Sequence, residues 1–328
     1  MQRLEYLDFL RGIAVLLVLL THTHHFFSYE ILNQWSAIGA RGVQLFYIVS
    51  GFTIYYIYQN KLNTSLDVKN YMVKRAFRIF PLYFLVLPIY FFIFGVNRDY
   101  ELPLVNLLTH YLLVNGFFPE YINSILRVEW SIFVEFMFYI VFALIFYRLK
   151  DVSIIKLLVI SFMLSVLSAS VSMVFYKEDM SMRTYLYLSP YFQFYNFFIG
   201  IFIASLSKET KIFRSKIVLI LMIVCFILVG FLVKSTIIQT YITSIIFAII
   251  LLNLSLNKYE YHKFLLYIGS ISFSLYLVHF FFVMSYERYI THSITNFILL
   301  IISIFLVSSL TYKYIEKPGI KFGKRFIK

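Results

Sequence analysis

Apolar residues run along this chain in long stretches, each about the length of a helix, separated by short clusters of charge. The stretches show neither the alternation of a half-buried strand nor the narrow stripe of a soluble helix, and are apolar nearly all round, as helices in lipid are. A helix needs about 20 mostly apolar residues to cross a bilayer. Ten stretches qualify, at roughly 7–27, 38–58, 76–96, 130–147, 152–176, 185–206, 212–233, 236–256, 264–286 and 293–315. A further stretch, about 103–118, is interrupted by Pro103, His110, Asn115 and Gly116 and reads as a re-entrant or interfacial segment. The first span is not a cleaved signal, because Asp8 and Arg11 interrupt its start and no small-residue cleavage pattern follows. The pattern predicts an all-α integral membrane protein, a bundle of about ten transmembrane helices forming a single domain over residues 1–328, with no appended soluble domain.

Composition leaves little room for another class. Hydrophobic residues make up 61% of the 328 and charged residues 14%, against about a quarter charged in a soluble domain. The mean hydropathy is +0.82, and so little charge cannot cover a soluble surface. The single Cys225 cannot pair within the chain, which excludes a disulfide scaffold. The net charge of +13 is explained by where the cations sit. With both termini in the cytoplasm, eighteen Lys and Arg fall on the cytoplasmic side, among them Lys61, Lys69, Lys74 and Arg75, and six fall opposite, among them Arg98 and Arg127. That asymmetry supports an even number of spans with both ends inside. Nucleic-acid binding would need a basic face on a soluble domain, and there is no room for one.

Charge inside the spans is where chemistry is to be sought, since ionisable residues are too costly to face lipid and line an interior instead. In the first span Asp8 and Arg11 are i,i+3 neighbours that can pair. His22 lies within about 60° of both around the axis and about 21 Å further along it, in the outer third of the membrane. His24 and His25 follow toward the outer surface. Glu135, about 8 Å into the fourth span from outside, and His279, about 22 Å into the ninth from the cytoplasm, reach similar depths. Ser131 shares a helix face with Glu135. At the cytoplasmic start of the third span, Arg75 and Arg78 can converge on one anion; ordinary anchoring against anionic lipid accounts for that spacing equally well. Small residues at Ser50 and Gly51 allow close approach of a ligand or of another helix.

These segments, in order, resemble the acyltransferase family 3 membrane proteins, which modify bacterial surface and exported glycans. The resemblance is carried by Leu7-Asp8, Arg11-Gly12-Ile13-Ala14 and His22; by Gly42, Phe46 and Ser50-Gly51-Phe52; and by Arg75, Arg78, Ile79 and Pro81. It continues through Trp130-Ser131, Glu135-Phe136 and Phe138-Tyr139, then Ile271-Ser272-Phe273-Ser274, Tyr276-Leu277 and His279, and closes on Glu316 and Pro318. It implies a ten-helix domain that transfers an acyl group, usually acetyl, from cytoplasmic acetyl-CoA to a sugar hydroxyl. The acceptor it implies is a glycan or lipid-linked glycan of an exported or cell-surface polysaccharide, such as lipopolysaccharide O-antigen, capsule or exopolysaccharide. The membrane would be the bacterial cytoplasmic (inner) membrane. The family's first-span Arg and His carry over to Arg11 and His22, its Arg pair to Arg75 and Arg78 as donor-binding residues, and its Trp-Ser…Glu carboxylate to Glu135. Gln44 stands where relatives commonly have Asp or Glu, which removes any acid–base role at that position. No metal is implied.

For such a reaction the thioester is already activated, and the demanding task is removing the hydroxyl proton. A neutral imidazole suits that task. His22 is the candidate base, with Glu135 or Asp8 as its orienter; Asp8 is too far along the same helix to touch His22 and is expected to hold Arg11. A covalent acyl-His intermediate is also chemically allowed. Ser131, Tyr276 and His279 are candidate substrate-binding residues. A long donor arm threading between helices would reconcile cytoplasmic arginines with an outer-leaflet histidine. The competing class is a transporter or flippase of a lipid-linked or exported glycan. Transporters often carry a repeated half, and Pro81 and Pro88 have no counterpart in a second half.

Overall fold

The computed structural model describes residues 4–23, 35–36, 38–95, 103–149, 152–175, 179–206, 212–289 and 293–327. All regular structure among them is helical. In chain order the α-helices are α1 (Glu5–Thr23), α2 (Gly42–Tyr58), α3 (Ser65–Tyr90), α4 (Leu104–Tyr111), α5 (Trp130–Arg148), α6 (Ile154–Val174) and α7 (Met180–Leu188). They continue as α8 (Pro190–Leu206), α9 (Lys216–Leu232), α10 (Thr236–Leu256), α11 (Lys263–Ser270), α12 (Ser272–Tyr289), α13 (Ile294–Thr311) and α14 (Lys317–Gly323). Among the described residues six helical segments are long and apolar enough to cross a membrane, or seven if the broken pair α11 and α12 forms one span. The protein is thus a multi-pass, all-helical membrane protein.

The chain divides into two compact units. One comprises Met1–Gln59, Ser153–Val159 and Tyr195–Ser272. In it α1 packs on α2 and α11, and α10 on α2 and α9. Leu7, Leu10, Ala14, Leu45, Ile48, Phe52, Phe247 and Leu251 form its buried apolar centre. Apolar side chains gain little from leaving lipid, so close backbone packing and polar contacts decide which faces meet. At Gly51 a Cβ would run into the Phe197 backbone of α8, so the small residue there serves helix packing. Arg41, just before α2, is 3% exposed and donates to the Thr240 hydroxyl and, at 3.3 Å, to the Thr236 carbonyl. Its charge is thereby spent on joining α2 to α10. Gln44 is buried; its amide, turned to face them, donates to the Ala40 and Arg41 carbonyls at 3.2 Å each.

The other unit comprises Asn60–Val152, Ile160–Phe194 and Phe273–Lys328. Its central element is α3, which packs against α4, α5 and α14. This helix begins at Ser65, well before the apolar span at 76, because Thr64 and Asp67 form a reciprocal capping box. Pro81 and Pro88 lie inside it, and the helix widens into a π-turn at Phe91–Gly95 just after Pro88. A proline lacks the N–H that the regular ladder needs, and such local adjustment is a usual response. Across α4, Leu104, Val105 and Leu108 are exposed while Asn106, Thr109 and His110 are buried. Polar side chains face protein and apolar ones face outward.

Some stretches read as single spans are interrupted. The 185–206 stretch breaks at Ser189 between α7 and α8, where Pro190 opens a new helix. The 264–286 stretch breaks at Ile271, flanked by Gly269, Ser270 and Ser272, a group of small residues that favours a helix break.

Candidate active site

The first cluster sits on α1. Arg11 bridges to Asp8 at 3.0 Å and donates to the Thr53 hydroxyl of α2 at 2.9 Å. Thr53 in turn donates to the Val49 carbonyl at 2.6 Å. The i,i+3 pair forms as its spacing allows, and Asp8 is occupied with Arg11. His22 lies half-buried in the last turn of the helix, about 21 Å beyond Asp8 at 1.5 Å per residue. Next to it, Thr21 donates to the Ser36 carbonyl at 3.1 Å and Ser36 to the Thr21 carbonyl at 3.2 Å, fixing the helix end. His24 and His25 lie outside the described residues.

The second cluster belongs to α3 and α5. Arg75 is buried, its guanidinium carbon 5.4 Å from the Tyr71 ring centroid and 5.3 Å from that of Tyr139. Tyr139 donates through its phenol to Glu135 Oε1 at 2.5 Å. Glu135 and Arg75 are therefore joined through one tyrosine, and the guanidinium makes cation–π contacts with two rings that stand nearly perpendicular to one another, at 79°. Arg78, one turn further along α3, is half-buried. Toward the end of the chain, Ser274 donates to Glu316 Oε2 at 2.6 Å, so two members of the sequence series touch.

The third cluster joins α5 to α12. Ser131 Oγ donates to Tyr276 Oη at 2.7 Å, and Tyr276 Oη donates to the Val128 carbonyl at 2.9 Å. That carbonyl is also 3.0 Å from Ser131 Oγ. His279 is buried; its Nδ1 lies 2.7 Å from the Tyr276 carbonyl and 3.1 Å from that of Leu275. A carbonyl only accepts, so Nδ1 carries the proton. The structure thus brings Ser131, Tyr276 and His279 together, and Glu135 together with Arg75.

Sequence reasoning passed over Glu129 and gave His110 only the role of an interruption. Both side chains are fully buried, with His110 Nε2 3.2 Å from Glu129 Oε1. An acidic residue directly before an apolar span, combined with a histidine inside a nearby apolar stretch, was the available signal. Among the described residues no three His, Cys, Asp or Glu side chains gather where they could hold a metal ion.

The acyltransferase domain family matches residues 4–313, nearly the whole chain. The chain belongs to acyltransferase family 3. A curated relative, "Protein 2 in picA locus" of Rhizobium radiobacter, is 32% identical over 87 residues, which are 26% of this chain and 43% of that protein. The match therefore spans less than half of that relative's length. No solved structure matches the chain. The protein sets its ionisable groups within apolar helices, where fixed polar groups act more strongly than in water.

Proposed function

We propose that this acyltransferase moves an acetyl group from cytoplasmic acetyl-CoA to a sugar hydroxyl of an exported or cell-surface polysaccharide. In this reading the protein lies in the bacterial inner membrane as a single domain of ten spans, with both termini cytoplasmic. One observation carries it: the family's ordered polar positions, Asp8, Arg11, His22, Arg75, Arg78, Ser131 and Glu135, all occur inside or at the ends of otherwise apolar helices.

The roles follow from side-chain chemistry. The sugar oxygen attacks the thioester carbonyl, the carbon–sulfur bond breaks, and the thiolate of coenzyme A leaves. His22 takes the hydroxyl proton as it is lost and returns it to the departing sulfur, a task worth about 10²- to 10⁴-fold in rate. Asp8 holds Arg11, and Glu135 is the further catalytic carboxylate in this reading. Arg75 and Arg78 supply cationic forks for the donor's phosphates. Ser131, Tyr276 and His279 supply hydrogen-bonding groups for the acceptor.

Purified protein in detergent, given acetyl-CoA and alkali-de-esterified surface polysaccharide, is expected to release thiol and form sugar ester. His22→Ala should lower transfer by about 10²-fold or more with the protein still folded, and undiminished transfer removes the histidine from the mechanism. Arg75→Ala and Arg78→Ala should raise KM for acetyl-CoA; an unchanged KM counts against donor binding. Ester content of surface polysaccharide with and without the protein identifies the acceptor class.

A further inference from the structure

The roles above make no use of His110, in α4, or of Glu129, just before α5, yet the two are held together by geometry. His110 Nδ1 lies 2.7 Å from the Asn106 carbonyl oxygen. A carbonyl accepts and never donates, so Nδ1 carries a hydrogen. If the imidazole were neutral, its Nε2 would present a lone pair to Glu129 Oε1 at 3.2 Å. Two lone pairs facing one another, both groups at 0% exposure, would be strongly unfavourable. A proton therefore lies between them. Glu129 Oε1 also accepts from the Ile125 N–H at 2.7 Å and Oε2 from the Val128 N–H at 3.0 Å. The two amide donors and the imidazole together hold the carboxyl group in one place.

The backbone that this carboxylate grips is strained. Arg127 has φ 62°, in the left-handed region, between the two amides that Glu129 holds. A non-glycine residue adopts that conformation only where its surroundings impose it. The gripped residue leads directly to the acceptor cluster, because the Val128 carbonyl accepts from the Tyr276 phenol at 2.9 Å and lies 3.0 Å from Ser131 Oγ. The connected groups are thus His110, Glu129, the Val128 backbone, and then the hydroxyls of Tyr276 and Ser131.

We propose that Glu129 and His110 are positioning residues for acyl transfer: the buried pair fixes the Val128 backbone through its N–H, and the carbonyl of the same residue sets the Ser131 and Tyr276 hydroxyls. This rests on the assignment of Ser131 and Tyr276 to the acceptor under the proposed function. Neither positioning residue touches the reacting atoms.

Glu129→Asp tests it, keeping the charge and withdrawing the carboxylate by one methylene. In the full-length protein, with acetyl-CoA and alkali-de-esterified surface polysaccharide, kcat should fall about 10²-fold, the loss typical of a misplacement near 1 Å. KM for acetyl-CoA should stay within about twofold, since donor-binding groups are untouched. Combined with Ser131→Ala, the two losses should fail to multiply by about fivefold or more, as they do for groups acting through one network. Wild-type kcat in Glu129→Asp overturns the proposal, as do losses that multiply independently. Should Glu129→Asp fail to fold, His110→Gln takes its place, because the glutamine amide still donates to Glu129. Wild-type protein that transfers nothing refutes the proposed function itself. The coupling is then read from Trp130, the only tryptophan left in a Trp35→Phe background. A shifted Trp130 emission in Glu129→Asp supports the grip of Glu129 on this turn, and unchanged emission refutes it.

Discussion

Arg75 sets its guanidinium against two tyrosine rings, and one of those tyrosines hydrogen-bonds Glu135. A lysine would keep the charge and lose the broad, delocalised guanidinium that reaches both rings. Arg75→Lys should therefore lower stability by about 1–2 kcal/mol, the scale of desolvated cation–π contacts. Arg78→Lys, at a half-buried position, should lower it by less. Thermal unfolding in detergent, followed by intrinsic fluorescence, compares them; equal losses would contradict a special role for the tyrosine faces. The i,i+3 spacing of the two arginines was legible in the sequence. Their unequal surroundings were not, because Tyr139 reaches Arg75 from another helix.

At the scale of elements, two backbone features make separable predictions. Gly51 meets the Phe197 backbone, which cannot move aside as a side chain could. Gly51→Val should cost about 3 kcal/mol or more, the upper end for overpacking, and appear as a large drop in unfolding temperature. A small drop would mean that α2 and α8 do not pack as described. Arg127, exposed with φ 62°, invites the opposite change. Arg127→Gly should be neutral or slightly stabilising, whereas Arg127→Ile should cost about 1–2 kcal/mol because a branched Cβ opposes a left-handed backbone. Equal unfolding temperatures for the two variants would remove the strain argument. Some boundaries could have been read in advance: Thr64 and Asp67 cap α3, and Ser189-Pro190 marks a restart. The break at Ile271 carried a weaker signal, since serine and glycine are common inside membrane helices that run straight.

For the whole molecule, the charge asymmetry makes the proposed topology testable. In a Cys225→Ser background, Asn63→Cys is expected on the cytoplasmic side and Glu120→Cys on the outer side, both at exposed positions. A membrane-impermeant maleimide added to intact spheroplasts should label position 120 and spare position 63. Labelling at 63 would reverse the proposed orientation.

By itself the sequence determined that the chain is helical and lives in lipid, which polar residues interrupt its spans, and to which family it belongs. These follow from local runs of apolar residues and from ordered short motifs, both readable in one dimension. Only the tertiary structure decided the partners: His110 with Glu129 across 19 residues, Ser131 with Tyr276 across 145, Arg75 with Tyr139, and Gly51 with Phe197. The physical reason is the solvent. In water an apolar stripe shows which face of a helix is buried, but in a bilayer apolar residues face lipid and protein alike. Which faces meet is then settled by close backbone approach and by a few polar groups that must find one another.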